Sequence, residues 1–268
     1  MEQKKNIDAI ILLTGLLVVR RRPRHSPAMA CPVTDNPMTS APEPDALKNL
    51  TIVLPVLNAG ATLGATLAAV AESDVVVVDG GSQDDSTTIA ANAGARVVTA
   101  PRGRGQQLAA GAEAASGVWL LFLHGDTRLG SGWREAVHSF VTDPAHRTKA
   151  AVFRFQLDDG RWRARLMAWG VARRGRLFGL PYGDQGLLIH RDLYEAVGGF
   201  KPLPLMEDVD LVRRLGRSRL VFLPVDAVTS AARYRRDGYV FRAARNLTCL
   251  ALYLMGANVG LIRRVYGA

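Results

Sequence analysis

The segment DVVVVDGG, residues 74–81, sets four consecutive valines between two aspartates and ends on a glycine pair. β-Branched side chains favour extended backbone, and an unbroken apolar run leaves no face for water. Such a run reads as a strand buried on both faces, as in a parallel sheet covered by helices on each side. The flanking sequence keeps the matching rhythm. TIVLPV (51–56) and ARVVTA (95–100) are short β-rich runs, and VWLLFLHGD (118–126) is a fourth. Between them, residues 61–71, 84–93 and 106–115 read as helices; Ser82 or Asp84 can cap the second, and the third ends near Gly117. Strand and helix alternating through short loops predict a parallel α/β sheet.

The second half is less regular. AAVFRFQL (150–157) and RLVFLP (219–224) read as strands, and GDQGLLIHR (183–191) as a turn and a short strand. Residues 161–174 form a basic helical stretch, and MEDVDLVRRLG (206–216) a helix with an acidic start. Residues 239–262 predict one long, largely apolar helix, or two broken near Gly256. This segment carries Arg242, Arg245, Asn246 and Asn258 and is followed by Arg263 and Arg264. It reads first as a packing helix or dimer face, with peripheral membrane contact as the alternative. No internal repeat is visible.

Apolar residues make up 48% of the 268, enough for a full core, which excludes a disordered, collagen-like or disulfide-stapled chain. The two cysteines, Cys31 and Cys249, fit a reducing compartment and are too few for a Cys-rich zinc site. The net charge of +10 is uneven. Residues 1–49 hold 7 basic and 5 acidic side chains, residues 50–160 hold 8 and 11, and residues 161–268 hold 19 and 8. An anionic partner for the C-terminal part and a plain arginine bias (29 Arg against 5 Lys) explain this equally well.

In the first 49 residues, IILLTGLLVV (10–19) is too short to span a ~30 Å bilayer core as a helix. The arginines that follow it do not suit a signal-peptide cleavage site. Residues 23–48 read as linker, and Met38 opens a segment just before the first strand. The expectation is a disordered leader or start-site artefact over 1–49 and one domain over 50–268.

In parallel α/β sheets, ligands bind beyond the carboxyl ends of the strands. Polar residues gather there: Asn58, Asp79, Arg102 with Arg104, and Asp126. Asp79 could accept bonds from a base or ribose, and Gly81 allows close backbone approach; taken alone, the segment is a turn. Neither it nor NAGATLG (58–64) is a G-x-G-x-x-G fingerprint. Asp126 could hold a hard divalent ion, whereas His124 alone reads as a packed histidine. Glu207, Asp208 and Asp210 read alone as capping of a helix N-terminus, and otherwise as the source of a general base. Asp184 and Gln185 form a turn or a substrate loop. Arg233, Arg235 and Arg236 suit bidentate phosphate binding or a solvated surface run.

Taken in order, LPVLN (54–58), VVDGGSQDDS (77–86), PRGRGQQLAAGA (101–112), LLFLHGDT (120–127), YGDQG (182–186) and LMEDVDL (205–211) carry a resemblance. From about residue 50 onward the chain resembles the bacterial family 2 glycosyltransferases, and among them the short, single-domain, arsenosugar-biosynthesis type. The resemblance implies a GT-A fold: an α/β domain with a Rossmann-like, mostly parallel central sheet flanked by helices. It implies that Pro55 and Asn58 line the nucleotide edge, that Asp79 with Gly81 meets the nucleobase or ribose, and that Arg104 lies near the nucleotide. Asp126 matches the last carboxylate of the family's metal-binding D-x-D, for Mg²⁺ or Mn²⁺. Asp208 matches the base of its E-D motif, with Glu207 as neighbour. Asp184 and Gln185 would lie near donor sugar or acceptor, and Arg233, Arg235 and Arg236 near the diphosphate. Three positions depart from the pattern: Ala59 where many relatives carry Glu, Gly80 in the strand-two acidic pair, and His124 for the first D-x-D carboxylate.

The implied activity is inverting transfer of a sugar from a nucleotide-diphosphate donor to an acceptor hydroxyl. A lipid-linked acceptor is one option, and the implied location is the cytoplasm or the inner face of the membrane. A non-catalytic nucleotide-sugar-binding or membrane-associated protein is the rival, against which Glu207 and Asp208 argue. A sugar nucleotidyltransferase would need a basic Gly-rich loop after strand one, and NAGATLG has no Lys or Arg. A nucleic-acid partner is excluded for want of a helix-turn-helix, zinc or aromatic RNA-binding signature.

Overall fold

The valine run is buried as its hydropathy requires: in the computed structural model, which describes residues 46–267, Val76, Val77 and Val78 have no exposed surface. A 3-10 turn (Ala46–Asn49) leads into β1 (Leu50–Val56), α1 (Gly60–Ala69), β2 (Asp74–Asp79), α2 (Ser86–Asn92), β3 (Arg96–Thr99), α3 (Arg104–Ala114) and β4 (Trp119–Phe122). Then come β5 (Thr127–Leu129), α4 (Trp133–Thr142), β6 (Ala150–Leu157), α5 (Trp162–Phe178), β7 (Leu187–His190) and α6 (Arg191–Ala196). The chain ends with α7 (Glu207–Leu215), β8 (Leu220–Thr229), α8 (Ala232–Asp237), α9 (Tyr239–Leu254) and α10 (Val259–Tyr266).

One eight-stranded sheet has the order β3-β2-β1-β4-β7-β6-β8-β5. The first four strands are parallel, as their alternation with helices predicts. Past β4 the sheet is mixed. β7 runs antiparallel to both β4 and β6, β6 is parallel to β8, and β5 is antiparallel to β8.

Alternate residues of each strand enter opposite cores. Ile52, Leu54, Val75 and Val77 join Leu63 and Leu67 of α1 and Trp133, Val137 and Phe140 of α4. Val53, Val76 and Val78 join Leu108 and Ala112 of α3 and Leu211 and Leu215 of α7. α3 lies close on the sheet because Gly111 has no side chain: a Cβ there would overlap Val53 Cγ1 and come within 2.9 Å of Val78 Cγ2. Pro55 sits in β1 past its last pair with β4, Val53↔Phe122, so its missing N–H removes no ladder bond.

Several boundaries differ from expectation. The fourth strand stops at Phe122 rather than running to 126, because residues 124–127 turn, with the Thr127 N–H donating to the His124 carbonyl. The strand expected at 219–224 runs on to Thr229; a register shift between Val152 and Arg154 of β6 lets it pass exposed Pro224. The helix expected at 239–262 is two, broken where Gly256 takes φ +80° and Asn258 caps α10 by accepting from the Gly260 N–H. α9 and α10 pack against α7 and the loop before it through Leu205, Met206, Val209, Cys249, Leu250 and Ile262. β5 and α4 complete the fold. Cys31, Met38 and the expected leader, up to residue 45, lie outside the described residues.

Candidate functional site

The carboxyl ends of the parallel strands deliver two groups of residues. The first lies after β1 and β2. The Asp79 carboxylate accepts from the Gly81 and Ser82 N–H groups at 3.0–3.1 Å, folding the turn onto itself. Gly81 has φ +91°, a conformation that disfavours a side chain. Asn58, itself at φ 53°, accepts from the Gln83 N–H at 2.8 Å, and its own N–H donates to Ser82 Oγ. Asp84 Oδ2 accepts from the Gly60 N–H. Asn58 and Asp84 therefore stitch two strand-end loops into one edge, Asp79 holds the second loop in its turn, and Pro55 is buried beneath.

The second group lines an open cleft beside the end of β4. Arg104 comes from the start of α3, and His124 and Asp126 from the turn after β4. Asp184 comes from the loop before β7, Asp208 from the start of α7, and Arg233 from α8. Tyr182, Leu205, Met206, Thr229, Ser230, Tyr234, Arg242, Asn246 and Tyr266 complete the lining.

Burial and charge set the state of these groups. Burial pushes the Asp184 carboxyl up to about 6, with Arg174 drawing it down and Asp208 and Asp126 pushing it further up. Burial also raises Asp126, with Arg233 as the main opposing charge. His124 is pushed down to about 3 by burial and by the cations Arg104 and Arg233, so it is neutral at ordinary pH. Burial raises the Tyr182 hydroxyl to about 12. Asp208 Oδ2 accepts from the Gly183 N–H at 2.7 Å and Oδ1 from the Val209 N–H at 2.7 Å. That pair of bonds fixes its plane while leaving it on the cleft wall.

Glu207 does not line this cleft. It is 1% exposed, and its Oε1 lies 2.8 Å from Arg104 Nε, an ion pair across α3 and α7. Burial pushes Glu207 up and Arg104 draws it back; Glu207 in turn raises Arg104, keeping it charged. Its side chain therefore pairs with Arg104 instead of lining the cleft as Asp208 does, unlike its expected place beside the base. Gln185 is also misplaced by sequence: it is buried and donates to the Phe153 carbonyl at 3.1 Å, bracing the loop from below. Of the three arginines on α8, only Arg233 lines the cleft. Arg235 pairs with Asp158 and Arg236 with Asp237, because successive residues of a helix point in different directions.

Among the described residues, no three His, Cys, Asp or Glu side chains gather to hold a metal ion. Asp126, a partly desolvated carboxylate opposed by Arg233, can supply one hard oxygen ligand, so a divalent cation fits here only with phosphate oxygens and water completing its shell. On the residues that line the cleft, three polar atoms are buried without hydrogen-bond partners: Tyr182 Oη, Asp184 Oδ1 and Asn246 Oδ1. Buried polar groups cost free energy unless they are paired, so this wall is built for a polar ligand. Sequence reasoning missed Tyr182, Tyr234, Asn246 and Tyr266. The last three come from α8, α9 and α10, and no motif marks them.

The model of glycosyl transferase family 2 matches residues 51–200, more than half of the chain. An uncharacterized glycosyltransferase of Mycobacterium tuberculosis is 41% identical over 85 residues, which cover 31% of this chain and 39% of that protein. The chain therefore matches about two fifths of the length of that curated relative. A mannosyltransferase from Pyrobaculum calidifontis, solved with GDP-Man and Mn²⁺, superposes with a TM-score of 0.58 at 20% identity, over 81% of this chain and 65% of that one. Glucosyl-3-phosphoglycerate synthase from M. tuberculosis, solved with Mn²⁺, UDP and glucosyl-3-phosphoglycerate, gives 0.55 at 20% identity, over 79% and 81%. At such identities the likeness is one of fold, and that fold is the GT-A type.

Proposed function

The chain belongs to glycosyl transferase family 2, and from that premise we propose that it moves a sugar from a nucleoside-diphosphate donor to an acceptor hydroxyl with inversion at the anomeric carbon. The observation that carries this reading is the convergence of Arg104, Asp126, Asp184, Asp208 and Arg233, from five separate segments, on one cleft at the carboxyl edge of the parallel half of the sheet.

The residues divide the work by charge. The donor's diphosphate is anionic and gains charge as the sugar leaves. Arg104, held charged by Glu207, and Arg233 face the space where that charge develops. Asp126 is the residue that would hold a Mg²⁺ or Mn²⁺ ion, which supplies further neutralisation of the leaving group when bound. Asp208 takes the acceptor proton while the hydroxyl oxygen attacks from the opposite side; the Gly183 N–H keeps its carboxylate oriented. One base and one displacement give inversion. Asn58, Asp79 and Gly81 shape the edge where the nucleoside lies. The sharing of the GT-A fold with enzymes solved with GDP-Man or UDP supports a nucleotide-sugar donor.

Asp208→Asn keeps the acceptor for the Gly183 N–H and removes the base. Turnover should fall by roughly 10²–10⁴ with donor affinity nearly intact. Steady-state kinetics with a nucleotide-sugar panel, together with calorimetric donor binding, checks this; near-normal turnover excludes the assignment.

A further inference from the structure

We propose that the outer face of α5 docks on an anionic lipid surface. The inner face is accounted for: Ala164, Ala168 and Val171 pack against Phe155, Leu157 and Tyr239. The outer face is apolar as well. Trp162 is 63% exposed, Leu166 56%, Trp169 54% and Leu177 48%. At about 100° per residue these four fall within roughly 80° of the helix circumference, a stripe on the side opposite the core.

The charges around the stripe choose the partner. Residues 160–183 contain no acidic residue. Arg163 and Arg165 flank the stripe on either side, and Arg173 sits within it, its guanidinium 4.9 Å from the centre of the Trp169 ring. Arg163 lies 5.6 Å from the Trp162 ring. None of the three has a carboxylate within 4 Å among the described residues. Tryptophan and leucine facing outward between unpaired arginines match the interface of an anionic bilayer, where rings sit at headgroup depth and guanidinium groups reach phosphates. A two-fold contact with a second copy would set the same positive stripe against itself.

A second exposed apolar pair lies at the start of the neighbouring helix. Tyr239 donates to Asp159 at 2.6 Å, which ties the start of α9 beside the start of α5, and Val240 and Phe241 next to it are 82% and 64% exposed. Among the described residues no helix is long and apolar enough to cross a membrane, so the contact is peripheral. The same helix runs into the loop that lines the cleft: Arg174 lies 3.5 Å over the Tyr182 ring. Docking would set the cleft beside the lipid headgroups, where a lipid-borne hydroxyl could reach it.

The test is flotation of the full chain with phosphatidylglycerol-containing vesicles and with pure phosphatidylcholine vesicles, with tryptophan emission recorded in parallel. Trp119 and Trp133 are buried, so a blue shift on binding reports Trp162 and Trp169. The wild-type chain should float with the anionic vesicles only and lose binding as salt rises. Trp162→Ser with Trp169→Ser, and separately Arg163→Gln with Arg165→Gln, should each weaken partitioning about tenfold or more. Circular dichroism should show unchanged melting, since all four side chains are exposed. The proposal is overturned if the wild type does not float, or if it floats equally with both vesicle types. It is also overturned if the variants float as well as the wild type, or if light scattering shows that the stripe holds two copies together without lipid.

Discussion

A carboxylate placed in this cleft is set by what surrounds it more than by its own chemistry. Asp184 and Asp208 both line it, yet Asp208 accepts two backbone N–H bonds while Asp184 keeps one buried oxygen without a partner. Burial raises Asp184 from 3.8 to about 6. The folded state therefore binds its proton more tightly than the unfolded chain. The stability this contributes is complete below pH 4 and is lost as pH rises through about 6. An Asp184→Asn variant removes that titration. Between pH 4 and pH 7 the wild type should lose stability relative to the variant, by a difference on the order of 2 kcal/mol. Urea denaturation of both proteins at the two pH values measures it; a difference that does not change with pH contradicts the assignment.

At the scale of elements, approach distance decides more than propensity. Glycine is a poor helix former, yet α3 carries Gly105 and Gly111 on its buried side. Gly105 lies against the backbone of Lys201 and Leu203, and Gly111 against Val53 and Val78. A methyl at 111 gains helix propensity but must displace two valines that are fully buried. Gly111→Ala should therefore destabilise the protein by about 1–3 kcal/mol, visible as a lower melting temperature, where propensity alone predicts a gain. The alternation of β1 to β4 with α1 to α3 was legible because each element shows its own local period. β8 was only half legible: its continuation past Pro224 depends on a register shift against β6, about seventy residues earlier in the chain. The same distance effect hid half of the cleft. Asp126 and Asp208 sit in recognisable motifs, whereas Tyr234, Asn246 and Tyr266 become neighbours of Asp184 only through the packing of α8, α9 and α10.

At the scale of the molecule, the uneven charge acquires a geometry. Residues 161–268, with 19 basic and 8 acidic side chains, spend much of their excess inside the fold: Arg214 on Asp210, Arg242 and Arg245 on Asp237, Arg235 on Asp158. Part of what is left over faces outward along α5, and Arg233 faces into the cleft. A nucleoside diphosphate that binds the folded state only should raise the melting temperature as its concentration passes the dissociation constant, more so with Mn²⁺ or Mg²⁺ than with EDTA. Arg233→Ala should reduce that shift, and Arg236→Ala, whose partner is Asp237, should not. Thermal scans of the three proteins distinguish a phosphate-facing Arg233 from a general effect of positive charge.

The sequence alone determined the parallel half of the sheet, because a strand buried on both faces must be apolar throughout and the helices covering it must be periodic. It also determined which residues stand at the strand ends, since chain order places Asn58, Asp79, Arg104 and Asp126 there. Only the tertiary structure decided which of these face one another. It sent Arg233 into the cleft and Arg235 and Arg236 away from it, put Gln185 and Glu207 beneath the site as supports, and closed the far wall with α9 and α10. A motif records the neighbours of a residue along the chain. Its neighbours in space are chosen by the packing of elements that may be a hundred residues apart, and that packing leaves no period to read.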